Sequence, residues 1–322
     1  MKKLAICLVV VLIIGTALPL NAQAAQLLIP VGQVVGLELQ ENRVTVAGFD
    51  DTLGAQARQA GIRIGDELTA VDGASVHCAR DVLEALARSD GRITLDILRD
   101  GKVHRLRLEP QTTSQGPRLG IYLRQGITGI GTVTWFDPDS GTFGALGHGV
   151  NRGGGELLEM TLGTIYPARV NHVKKGQVGE PGQLHGAFTW DDPIGSLERN
   201  TACGVFGASA HGWSGIAVPV ADPSQVHVGK AMIRSTVDGG TVREYSVDIL
   251  KIYPSNRNSQ RNLVLKITDP ALLEVTGGIV QGMSGSPILQ DGRLIGAVTH
   301  VLVNDPTMGY GIFIENMLDA AG

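Results

Sequence analysis

Apolar and polar positions alternate in short runs along the first third of the chain. The alternation predicts strands over 33–39 ("QVVGLEL"), 43–49 ("RVTVAGF"), 67–73 ("ELTAVDG"), 92–101 ("RITLDILRDG") and 103–110 ("VHRLRLEP"). Asp72-Gly73 and Asp100-Gly101 read as tight turns, because both residues of such a pair tolerate a left-handed backbone. Helical spacing predicts a short helix over 53–61, stopped by Gly61, and a longer one over 78–89 whose Val82, Leu83 and Leu86 share a face. Past the polar stretch 111–120 ("QTTSQGPRLG") the pattern changes to short, glycine-punctuated strands, and no long amphipathic helix follows until the last dozen residues. The pattern predicts a mainly β chain: an α/β unit, then about 200 residues of all-β barrel or double barrel.

Composition agrees. The 322 residues include 44 glycines and only 4% aromatics, as a turn-rich β protein would. A net charge of −4 offers no basic footprint for nucleic acid. At the N-terminus, Lys2 and Lys3 precede an apolar stretch from Leu4 to Leu20, and Ala22-Gln23-Ala24 supplies small residues for cleavage. Residues 1–24 are therefore expected to be a signal peptide or a signal anchor. Cys7 lies in that segment, which leaves Cys78 and Cys203, and neither C-x-x-C nor H-E-x-x-H occurs. No metal or other cofactor is expected.

"AGIRIGDELTAVDGASV" (60–76) resembles the central signature of PDZ domains, in which a helix end leads to Gly-Asp, a strand and an Asp-Gly turn. The resemblance implies a PDZ domain over 28–110, a linker over 111–118 and a further domain over 119–322. It puts a carboxylate-binding loop at Gly36, Leu37, Glu38 and Leu39, where backbone N–H groups would receive peptide ends and the next strand would pair with extended segments. The other reading of the same scaffold is a spacer.

"GGIVQGMSGSPIL" (277–289) crowds small residues around Ser284. It is either a tight turn or a nucleophile turn. In the second case the amides of Gly282 and Ser284 face an oxyanion, and glycine at 282 permits a positive φ. A hairpin over 288–295 would hold the turn on strands. Among eight histidines, His148 in "FGALGHGV" stands at the end of an apolar run between two glycines, which leaves it open to act as a base. His77 and His104 fall in the α/β unit. His172, His185, His211 and His227 read as surface residues, and His300 as a strand residue that packs in the core or, as the second reading, lines a pocket.

Taken together, "GTVTWFDPDSGTFGALGHG", "NTACGVFG" (200–207), "ITDPALLEVTGGIVQGMSGSPI" (267–288) and "LIGAVTHVLVNDPTMGYGIFIENML" (294–318) closely resemble the SpoIVB sporulation peptidase family. The resemblance implies a chymotrypsin-like double β-barrel in which Ser284 is the nucleophile, His148 the general base and Asp269 the residue that orients it. In most chymotrypsin-like enzymes the acid comes from the first barrel, so Asp248 and Asp191 stay open as competitors. The resemblance also implies export across the forespore inner membrane into the space between forespore and mother cell. There the enzyme would process itself and cut a membrane-bound regulator, freeing an intramembrane protease that activates a late mother-cell sigma factor. Two other functions are compatible with the residues: a PDZ-based scaffold with an inactive barrel, and a general envelope quality-control protease.

Overall fold

The computed structural model describes residues 26–114, 116–153, 155–254 and 261–322. The expected signal segment, 1–24, lies outside them. Among the described residues no helix is long and apolar enough to cross a membrane.

Two six-stranded barrels form the body of the chain. The first is a ring of Val34–Gln40, Ile127–Phe136, Thr142–Ala145, Gly204–Ser209, Gly195–Thr201 and Leu162–Lys174. It closes because Ile127–Phe136 pairs with Val34–Gln40 on one side and with Thr142–Ala145 on the other. Leu37, Leu39, Val133, Phe143, Ile165 and Val205 fill it. The second barrel is closed by Gly229–Ser235, Arg243–Ile252, Leu263–Ile267, Asp305–Phe313, Arg293–Leu302 and Pro287–Gln290. Ile233, Val247, Ile249, Leu265 and Ile288 fill it, and burying each such side chain contributes about 1.5–3 kcal/mol. The mainly β, double-barrel expectation holds. So does the hairpin after Ser284: Asp291 and Gly292 take φ of 49° and 72°, the left-handed pair that a two-residue turn requires.

The α/β unit is inserted into the first barrel after that barrel's first strand. Its sheet orders Ile121–Arg124, Val44–Phe49, Glu67–Val71, Ile93–Arg99 and Lys102–Leu108, with Ala74–Ser75 at the side and the helices Ala55–Gln59 and Ala79–Arg88 packed on it. Val44, Leu68, Val82, Leu86, Ile93, Leu95 and Ile97 make its own core. This changes the expected boundaries of 28–110 for the unit and 111–118 for a linker. The unit runs from Val44 to Arg124, and the supposed linker contains the small hairpin Gln111–Thr113 with Gly116–Arg118.

The residues expected to form a carboxylate-binding loop, Gly36, Leu37, Glu38 and Leu39, do not belong to this unit. They sit in strand Val34–Gln40, hydrogen-bonded on both sides, to Ile127–Phe136 and to Leu162–Lys174. A Cβ at Gly36 would run into the Phe188 ring, so the glycine serves barrel packing. Alternation revealed the strand but not which sheet would pair with it. The helix Pro270–Thr276 is also absent from the sequence reading. At seven residues it is too short to show a period.

Candidate active site

Ser284 and His148 come from different barrels and meet in one cleft of about 590 Å³. The Ser284 turn leaves the second barrel with positive φ at Gly282 (99°) and Gly285 (96°). Thr132, on the first barrel's strand Ile127–Phe136, pins it there. The Thr132 amide donates to the Ser284 carbonyl (3.1 Å) and the Thr132 hydroxyl donates to the Gly282 carbonyl (2.8 Å). A Cβ at Gly285 would collide with the Thr132 carbonyl and the Leu146 backbone, so glycine lets the two loops touch.

The His148 loop is strained. Leu146 has φ of 70° without being glycine, and Gly147 follows with 69°. The Gly147 amide donates back to the Ala145 carbonyl at 2.9 Å, closing a γ-turn around Leu146. Such a turn costs on the order of 1–3 kcal/mol and is held only by what surrounds it. Gly147 abuts Thr299 and Ile312 of the second barrel, and Gly149 abuts the Thr201 backbone. The two glycines that flank His148 are there because the loop is wedged between barrels.

The hydrogen bonds at the site are specific. His148 Nδ1 lies 3.0 Å from the Gly149 carbonyl, so the ring donates there and Nε2 keeps its lone pair. Burial pushes the His148 pKa down, and the Gly149 carbonyl opposes this in part. The Ser284 hydroxyl donates to the Thr299 carbonyl at 2.8 Å rather than to His148. The amides of Gly282 and Ser284 make no backbone hydrogen bond among the described residues. They are free to serve as a pair of donors.

Asp269 does not line the cleft that holds His148. It is the N-cap of helix Pro270–Thr276. One oxygen accepts from the amides of Ala271 (3.0 Å) and Leu272 (3.1 Å), and the other from the Ser246 amide (3.3 Å). Asp-Pro at the start of a helix is a capping signal, and the fifteen-residue spacing to Ser284 did not distinguish cap from acid. Asp248 pairs with Lys230 at 2.8 Å, and Asp191 is exposed in a turn. The described residues that line the cleft include no carboxylate.

His300 is the residue that sequence reasoning left between two places. Of its two sequence readings, core packing and pocket lining, the structure shows the second: it lines the cleft, its ring centroid 5.3 Å from that of His148. Its place one residue after Thr299 was visible, but its company was not. His172, His185, His211 and His227 are exposed, as expected, and His77 and His104 lie in the inserted unit. Among the described residues no group of three or more His, Cys, Asp or Glu side chains could hold a metal ion.

The chain is similar in structure to the Rv3671c protease of M. tuberculosis in its active form, at 15% identity and a TM-score of 0.39, over 61% of this chain and 75% of that one. It is similar to the inactive form of the Rv3671c protease at 14% identity and a TM-score of 0.36, over 59% and 82%. The match that identifies the chain is to a family rather than to one structure. The SpoIVB peptidase S55 family matches residues 115–318, most of the chain and both catalytic candidates, and this protein therefore belongs to that family of serine peptidases.

Proposed function

We propose that this serine peptidase is an endopeptidase with Ser284 as nucleophile, His148 as general base, and the amides of Gly282 and Ser284 as the oxyanion hole. The observation that carries the proposal is the meeting of two glycine-flanked turns, one from each barrel, with two unbonded amides beside the serine. Attack requires the Ser284 hydroxyl to leave the Thr299 carbonyl and turn to His148 Nε2. As Oγ bonds to the peptide carbonyl carbon, its proton passes to Nε2, and negative charge on the carbonyl oxygen falls to the amides. The imidazolium then keeps its Nδ1–H on the Gly149 carbonyl, which fixes the tautomer as a carboxylate does elsewhere. Collapse returns the proton to the leaving amine, and water repeats the sequence on the acyl-enzyme. A fluorophosphonate probe tests the assignment. Wild-type protein should be labelled at Ser284, and the Ser284→Ala and His148→Ala proteins should not. Labelling that persists in Ser284→Ala would refute it.

The sporulation role rests on the family. In that reading the enzyme is exported across the forespore inner membrane, processes another copy of itself and cuts a membrane-associated regulator of an intramembrane protease. The inserted unit is read as a PDZ domain that takes peptide ends or extended segments. What supports its binding role is a groove of about 460 Å³ between helix Ala79–Arg88 and the edge strand Ile121–Arg124, lined by Leu53, Val82, Leu83, Leu86, Leu119 and Ile121. A peptide laid there would pair with the free strand edge and place side chains on Leu83 and Leu86.

A further inference from the structure

The cleft holds a second imidazole that the proposed chemistry leaves without a task. His300 stands on strand Arg293–Leu302, directly after the Thr299 carbonyl that holds the Ser284 hydroxyl. Its ring contacts that of His148 with the planes tilted at 43°, and it contacts no other aromatic ring among the described residues. Its Nδ1 is buried and has no hydrogen-bond partner. An orphaned polar atom in a cleft costs about 1–3 kcal/mol, so its retention calls for a function.

We propose that His300 is a positioning residue for His148: a neutral imidazole that holds the base against the Gly149 carbonyl and turns a buried lone pair toward the cation His148 becomes. Two observations and one physical rule lead there. No carboxylate lines the cleft, so nothing of opposite charge stabilises an imidazolium at His148. The Gly149 carbonyl supplies one acceptor, and the unpartnered nitrogen of His300 is the other polar atom with nothing to bind. A lone pair fixed beside a ring that gains charge stabilises that charge strongly where water is excluded.

The role requires His300 to stay neutral while His148 titrates. Burial, then the charge of His148, then that of Arg261 lower the His300 pKa to about 4. Near neutral pH His300 is therefore uncharged, and it adds no second cation to repel the one that His148 becomes. Arg261, whose guanidinium lies over the Tyr310 ring on the neighbouring strand, adds to this bias against a second cation.

The inference rests on the assignment of Ser284 and His148 above, and its test is kept separate from that assignment. His300→Phe keeps a ring of similar size but removes the nitrogen. His300→Asn returns an acceptor near the position of Nδ1. With a short peptide substrate, His300→Phe should lower kcat about tenfold or more with KM within about twofold, and His300→Asn should recover most of the loss. In a Ser284→Ala background, NMR titration of the His148 ring should show its pKa falling by about one unit in His300→Phe and not in His300→Asn. That second measurement needs no activity. A residue that only fills space would leave the His148 titration unchanged in His300→Phe, and that result overturns the inference, as do equal losses in both variants. Failure of the fluorophosphonate probe to label wild-type Ser284 is a different result and refutes the catalytic assignment itself.

Discussion

Arg152, four residues after His148, locks onto Glu41 at the point where the chain leaves the first barrel for the inserted unit. Its Nε lies 2.6 Å from the Glu41 carboxylate, and both side chains are largely buried. The Glu41 carbonyl accepts from the side chain of Gln125, which stands where the chain returns to the barrel. The Gln125 side-chain carbonyl in turn accepts from Ala79, the first residue of the helix beside the groove. A path of polar contacts thus links that helix to the loop of the base.

Breaking the path at its most buried point should be felt at the active site. Glu41→Gln leaves the Arg152 guanidinium with only the exposed carboxylate of Glu156, and removing one partner of a buried pair costs roughly 3 kcal/mol. We expect lower stability toward urea and kcat reduced about tenfold, because the strained turn at Leu146 relies on its surroundings. Unchanged kcat in a folded Glu41→Gln protein would show that the ion pair serves only the domain junction.

The pH profile carries a sign. The proposed base, His148, acts when neutral, and burial lowers its pKa from the usual 6.5, so the acid limb of kcat/KM should lie below pH 6.5. Stability moves in the opposite sense to that of a histidine whose pKa is raised by a partner. In the folded state His300 titrates at about 4, whereas in the unfolded chain it binds a proton near 6.5. The unfolded state therefore binds more protons between those values, and stability falls as pH drops through this window. Urea midpoints measured from pH 7 to pH 4 should decline, and the decline should be smaller in His300→Asn.

What the sequence made legible follows from the range of the signals. Period-two alternation and Asp-Gly turns are local, so the main strands of the inserted unit were readable, whereas barrel strands such as Gln183–Phe188, Gly195–Thr201, Gly229–Ser235 and Asp305–Phe313 were not; Gly147, Gly149, Gly282 and Gly285 marked both turns of the candidate site. The misplaced features are all matters of partnership. Gly36 belongs to a strand whose neighbours lie about 90 and 130 residues away. Asp269 satisfies a helix end that is too short to show in the pattern. His300 and His148 are 152 positions apart and touch only because two barrels close on each other.

The cleft also limits which substrates can be cut. Ile127, Ile130, Ile279, Val280, Val301 and Val303 line it, and among the described residues its only ionisable side chains are the two histidines. Charged side chains placed against such a wall lose hydration without a partner. A peptide library should show preference for uncharged aliphatic residues next to the scissile bond, with Asp or Lys there cut about a hundredfold more slowly. Efficient cleavage after Lys or Arg would mean that the substrate side chain sits elsewhere.

The last prediction separates the groove from the barrel strand that first suggested a binding loop. Gly36→Ala should destabilise the first barrel, because the added methyl meets the Phe188 ring, and activity on every substrate should fall with folded protein. Leu83→Asp is a different kind of change. Leu83 was expected on the buried face of its helix but is 46% exposed beside the groove, so a carboxylate there is tolerated by the fold and repels a peptide terminus. Probe labelling of Ser284 and hydrolysis of a short peptide should be unchanged in Leu83→Asp. Cleavage of a full-length protein substrate, or of a second copy of the enzyme, should drop about tenfold or more as the groove loses its ligand. Equal loss on peptide and protein would mean that the substitution has disturbed the catalytic barrels, and no loss on either would make the inserted unit a spacer.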